Sequence, residues 1–412
     1  MLSSVLIYFP NIWFGDETLG KAVSLVLVSI CVVGNATLVI ALFKRVPLFQ
    51  YWVAWAILWP CALVPFAPHY HAMELLGRVM FVEFLVAGTV LSLKLGAQHV
   101  ALAARLALWT AVFGVFWSYL DRDFLENVAF SQIGASDVAA ISGRAWGFRL
   151  QPNYLAADLC MLLLLSLHSL RSESSIKEAH RLAAITAIAI LMTGSRGGML
   201  CFAGVVSVVF GYGVLVSRDR HIFHKYSAIV AYVGVSGLVL LAVFGDGVIS
   251  SNIVMLERAA EVVDYLLGTM GDDGSLNERR MGAAAILARV AEHPVFGHGC
   301  GGMRALWETG RLPIVAHDTF QYYLLDYGAA YMLSFLVLLV ATLAVARKHR
   351  VSEAHGIAFV PALAAVTVLA GLVSMSVKSP AWGYLLGVGL AGVLSAQARR
   401  SAKASRPAKK RP

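Results

Sequence analysis

Apolar stretches long enough to cross a bilayer recur along the whole chain, separated by short polar or glycine-containing turns. They predict spans at about 22–43, 49–67, 73–95, 100–120, 152–170, 181–195, 198–216, 226–245, 319–346, 356–376 and 381–396. Residues 1–14 are apolar but too short to span unaided, which leaves eleven or twelve transmembrane helices. The runs are continuous rather than alternating, which excludes a transmembrane β-barrel. The expected fold is therefore an all-α, polytopic integral membrane protein. Its units are N-terminal membrane helices over 1–245, a long connection over 246–316, C-terminal membrane helices over 317–396 and a basic tail over 397–412. The long connection predicts two helices of its own, one over about 252–267 and one that starts after an Asn277 cap and stops before Pro294.

Composition agrees with this pattern. The 412 residues are 59% hydrophobic and 14% charged, too little charge to cover a soluble protein of that size. The net charge of +9 reads as a topology signal rather than as a nucleic-acid footprint. Lys and Arg crowd the segments 44–47, 94–105, 171–181, 217–225, 347–355 and 397–412, with 20 in all. The alternate connections 68–72, 121–151, 194–198 and 377–380 hold five, so the first set is expected in the cytoplasm. The basic tail then becomes an anchor at anionic membrane lipid, expected to be disordered. The connection 246–316 falls outside and carries a net charge of −3. Its length and internal helices mark it as functional rather than as a mere link.

On the same outer side stand four polar groups: Arg149 with Asn153 in FRLQPNYLA, Arg196 in MTGSRGGML, Arg279 and Arg280 in NERRMG, and His317 with Asp318 in AHDTF. Polar groups at membrane depth are costly and tend to mark ligand pathways. The apolar part of the helix before Arg196 is short, so Arg196 is expected below the outer surface, lining a cavity; a helix-end lipid anchor is the competing reading. Arg279 and Arg280 fall in the predicted first turn of a helix, where free N–H groups and a guanidinium together suit a phosphate; a salt bridge to Glu278 or Asp273 is the alternative. His317 can titrate near neutral pH and is either a proton acceptor or a structural hydrogen-bonder. No metal or cofactor is expected. The five cysteines lack metal spacing, and His293 and His298 lack a zinc frame. Gly297-x-Gly299-x-x-Gly302 follows a helix rather than a strand, so it is a chance match to the dinucleotide pattern.

At these residues the chain resembles the O-antigen ligase and polymerase superfamily of bacterial inner membranes, from about Gly147 to Ala341. Pro152-Asn153 matches the family's Pro-Asn, and Thr193 to Gly198 match its Thr-Gly-Ser-Arg-Gly-Gly turn letter for letter. Arg279 precedes Pro294, Gly297 and Gly299 as the family's arginine precedes its Pro-x-x-Gly-x-Gly segment, and His317, Asp326 and Gly328 match its His…acid-x-Gly. Asp318 replaces the usual Asn, Asp326 the usual Glu, and Ala283 a frequent aromatic. The resemblance implies a periplasmic-face glycosyltransferase, most like an O-antigen ligase, that moves a glycan from undecaprenyl diphosphate to a lipid A–core acceptor without metal or nucleotide sugar. A polymerase of O-antigen or exopolysaccharide is the alternative within the family, and a transporter or flippase for an anionic substrate the alternative outside it. The expected roles are catalytic for His317, Arg196 and Arg279, and substrate-binding for Arg149, Asn153, Arg280 and Asp318.

Overall fold

The computed structural model describes residues 17–63, 68–69, 71–120, 145, 147, 152–167, 174–216, 274–313, 316, 318–348, 359–373, 377 and 379–404. These residues form an all-α polytopic membrane protein, with no strand among them. Its helices are α1 (Glu17–Val33), α2 (Ala36–Arg45), α3 (Pro47–Val53, continued by a π-helical stretch Ala54–Leu58 and Trp59–Leu63), α4 (Ala72–Leu95) and α5 (Ala97–Leu120). There follow α6 (Pro152–Leu167), α7 (Ser174–Met192), α8 (Arg196–Val216), α9 (Gly274–Val290), α10 (Gly302–Glu308), α11 (Thr319–Lys348), α12 (Phe359–Val373) and α13 (Pro380–Ala404). Every predicted span holds a helix except 226–245, which lies outside the described residues, as does the predicted helix 252–267. Glu74–Leu95, Gln98–Ser118 and Thr319–Lys348 are long and apolar enough to cross a membrane alone.

Several boundaries differ from expectation for local reasons. The span predicted over 22–43 breaks at Gly34-Asn35, and its halves meet at 73°. Asn35 Nδ2 donates back to the Cys31 carbonyl at 2.6 Å, drawing off an acceptor from the helix it interrupts. The connection placed over 94–105 shrinks to Gly96, whose φ of +78° turns the chain directly from α4 into α5. The tail is not wholly irregular, because α13 continues to Ala404.

The bundle is organised by α4 and α13, which touch through backbone. A Cβ at Gly88, Gly383 or Gly387 would collide with main-chain atoms of the facing helix. Close approach through small residues is how membrane helices gain packing where lipid removes the hydrophobic drive. Around this pair, α6 is buried along nearly its whole length, while α12 lies between α8 and α11. Phe320 at the start of α11 sits where a Gly371 side chain would be, and Leu369 where a Gly204 side chain would be.

Candidate functional site

The Thr193–Gly198 turn is a helix cap built from its own letters. Thr193 Oγ1 donates to the Ile190 carbonyl at 2.6 Å and accepts the Ser195 N–H at 3.2 Å. Ser195 Oγ then accepts the Gly198 N–H at 3.0 Å, which makes it the N-cap of α8. The same hydroxyl donates to Asn153 Oδ1 at 2.8 Å, so α6 and α8 are joined through the cap. Gly198 must lack a side chain because a Cβ there would strike the Ala156 Cβ. Thr193 and Ser195 are fully buried, whereas Arg196 is half-buried at the first position of α8. That position combines a guanidinium with the positive end of a 21-residue helix.

Arg279 and Arg280 do not stand in the first turn of their helix, where the sequence places them. Helix α9 begins at Gly274, not after an Asn277 cap, so both arginines fall in its second turn. Their N–H groups already have acceptors within the helix. The anion-favouring helix end belongs to Arg196. Arg149 and His317 lie outside the described residues.

Asp318 has a visible task. Its Oδ1 accepts the Gln321 N–H at 2.7 Å, which makes it the N-cap of α11. Burial moves its carboxyl pKa up, against the opposing pull of the Gln321 and Phe320 N–H groups. Asn and Asp cap helices equally well. One carboxylate oxygen of Asp318 is thus engaged in a capping bond.

The Pro294–Met303 loop and helix α11 form one unit. Helix α11 breaks at Gly328, with φ 78° and ψ 178°, and the loop docks into the break. Ala329 N–H donates to the Pro294 carbonyl at 2.9 Å, Ala330 to Val295 at 3.3 Å, His298 to Leu325 at 2.8 Å and Gly299 to Asp326 at 2.8 Å. Gly297 and Gly328 approach so closely that a Cβ on either would overlap the other's backbone neighbours. On the other side of the loop, His69 N–H donates to the His298 carbonyl at 3.1 Å and His71 to Cys300 at 2.8 Å. The Asp326 carboxylate is fully buried and accepts the N–H groups of Gly301 at 3.0 Å and Met303 at 2.8 Å. The glycine-rich loop therefore does cradle an anion, but that anion is the protein's own Asp326. This gives the resemblance to a dinucleotide pattern a structural reason and leaves no nucleotide role for it.

Side chains around this unit are held inertly. His298 contacts the Arg289 carbonyl through Nε2 at 2.8 Å, at the end of α9, and packs on His293 with ring centroids 4.7 Å apart. Burial pushes its pKa below the ordinary imidazole value. Burial pushes the Cys300 thiol up to about 11, so it is not a nucleophile at neutral pH. Among the described residues no three His, Cys, Asp or Glu side chains gather as a metal site.

One residue is absent from the motif spacing altogether. Arg78 on α4 is 2% exposed, and its guanidinium carbon lies 4.9 Å from the ring centroids of both Tyr323 and Tyr327. Its Nε donates to Tyr327 Oη at 3.1 Å and its Nη1 to Tyr323 Oη at 3.4 Å, while Nη2 has no hydrogen-bond partner. Tyr327 Oη also meets Cys300 Sγ at 3.4 Å, and Tyr322 Oη donates to Glu74 Oε2 at 3.0 Å. Arg78 thus ties α4 to the break in α11 and to the docked loop. The sequence signal for it is an arginine inside a predicted apolar span, 73–95. Asp158, fully buried on α6, carries the same signal.

The fold defines an all-α polytopic membrane protein. Residues 182–329 match the family model described as O-antigen ligase. That segment takes in the α8 cap, Arg279, the docked loop, His317 and the Asp326–Gly328 break. The match covers the segment that holds these residues and supports, at the coarse level, a membrane enzyme similar to the O-antigen ligases and polymerases. No curated protein matches the chain.

Proposed function

We propose that this protein is an O-antigen ligase-like glycosyltransferase that moves a glycan from undecaprenyl diphosphate to a lipid A–core sugar at the periplasmic face of the bacterial inner membrane. The observation that carries the reading is Arg196, half-buried at the capped N-terminus of α8 inside the family segment. In the reaction an acceptor hydroxyl oxygen attacks the anomeric carbon, and the bond from that carbon to the diphosphate oxygen breaks. The electron pair leaves with the diphosphate, whose growing charge Arg196 and Arg279 stabilise in place of a metal. The acceptor proton passes to His317. Asn153 acts at one remove, by holding the Ser195 cap that sets the start of α8.

The test is reconstitution of the purified protein in liposomes with lipid-linked donor, without nucleotide and with a chelator present. Transfer to added lipid A–core supports the ligase. Elongation of lipid-linked glycan in its place identifies a polymerase. No glycosidic bond with either acceptor, alongside movement of the donor across the bilayer, identifies a transporter.

A further inference from the structure

The turn at Val295 and Phe296 is apolar, exposed and fixed at a definite height in the bundle. Helix α11 has 30 residues and ends in Arg347 and Lys348. At 1.5 Å per residue a hydrocarbon core of about 30 Å takes roughly 20 of them. Counted back from Arg347, that length ends at Tyr327 and Gly328, where the helix breaks. The part beyond, Thr319–Tyr327, is wrapped by protein, with Tyr322, Tyr323 and Tyr327 almost wholly buried. The edge of the hydrocarbon on the loop side is therefore level with Gly328.

The backbone bonds from Ala329 to Pro294 and from Ala330 to Val295 hold the turn at that level. Yet the side chains of Val295 and Phe296 are 50% and 55% exposed. The Phe296 ring lies 6.5 Å from the Trp59 ring at the end of α3, and Trp59 in turn lies 6.5 Å from Tyr331. Next to Trp59 in the chain, Leu58 is 63% exposed. The apolar turn thus packs beside an exposed apolar end of α3, and the two carry aromatic residues of the kind that favour a membrane–water boundary. Because its backbone is locked into the α11 break, the turn cannot fold inward to hide them.

We infer that Val295 and Phe296 form a fixed wedge inserted among the acyl chains of the leaflet on the loop side, so that the outer segment is seated in the membrane by its own loop as well as by its flanking helices. This does not depend on the proposed reaction. It is tested on the full chain with Cys31→Ser and Cys61→Ser, carrying a single added cysteine at 295, at 296 or at the exposed Arg311, labelled with a nitrobenzoxadiazole probe. The protein is reconstituted in phosphatidylethanolamine–phosphatidylglycerol vesicles. Probes at 295 and 296 should emit blue-shifted light and be quenched by doxyl-labelled acyl chains rather than by aqueous iodide; the probe at 311 should show the reverse. Iodide quenching at 295 and 296 as strong as at 311 overturns the inference. Shielding from both quenchers that disappears on dilution with lipid also overturns it, in favour of a contact between two copies of the chain.

Discussion

Ser195 and Asn153 meet at 2.8 Å, the serine hydroxyl donating to the amide oxygen while it caps α8 through the Gly198 N–H. Two motifs 42 residues apart in sequence therefore act as one joint. Removing a serine N-cap typically costs about 1 kcal/mol. Ser195→Ala should lower stability by about that amount, and Asn153→Ala by somewhat less. Because the two groups share one bond, the double variant should lose less than the sum. Thermal unfolding of the four proteins in one detergent measures the cycle; strict additivity would deny the joint.

Lysine should fail at the arginine sites. Its ammonium is a point charge and cannot match two phosphate oxygens at once. Arg196→Lys and Arg279→Lys should reach the membrane at normal levels and lose most glycan transfer in the liposome assay. Since the structure puts Arg196 at a helix end and Arg279 one turn inside another, the loss should be larger at Arg196. Wild-type transfer by both lysine variants would make the arginines structural.

Asp326→Asn should unseat the loop. The carboxylate uses both oxygens, one for Gly301 and one for Met303, and an amide must turn its NH2 toward one of those N–H groups. Hydrogen bonds to a charged group contribute about 1.5–3 kcal/mol each, so the loss should be of that order. Protease cleavage within residues 291–303, compared with the native protein, reads the loosening directly.

Acid should loosen the same loop. His298 is held below its ordinary pKa of 6.5 by burial, whereas the unfolded or opened loop titrates at that ordinary value. The open form therefore binds the proton more readily, and stability is lost as pH falls below about 6.5. Hydrogen exchange over residues 291–303 should accelerate between pH 7 and pH 5 beyond its intrinsic pH dependence. His298→Gln should flatten that response. Unchanged protection across the interval would contradict it.

What could be seen in the sequence was set by local chemistry. The spans were visible because lipid demands long apolar runs, and Arg196 because a charge beside glycines at the end of such a run is rare. Asp318 carries an N-cap signal, with Gln321 three residues on, that the reading of it as a substrate contact leaves out. Long-range bonds left no such trace. The break at Gly328 exists because a loop some 30 residues earlier supplies its hydrogen bonds, and Asp326 is buried because that loop presents N–H groups to it. Arg78 belongs with tyrosines about 250 residues away, so only its misfit in an apolar span could announce it. The start of α9 was misplaced for a simpler reason: Asn277 is a good cap, but Gly274 and Ser275 continue the helix ahead of it.

His317 should remove the acceptor's proton rather than hold structure. The α11 cap is already supplied by Asp318, so the helix start does not need the imidazole. In sequence His317 stands eleven residues before the break at Gly328. A general base contributes about 10²–10⁴-fold, so His317→Ala should cut turnover by that order while donor binding stays nearly intact. His317→Gln keeps much of the hydrogen bonding without the basicity and should be almost as slow. The native rate should rise with pH, because a protonated ring cannot accept, and the glutamine variant should lose that rise. Full transfer by His317→Gln would leave the ligase reading standing and remove the base from it.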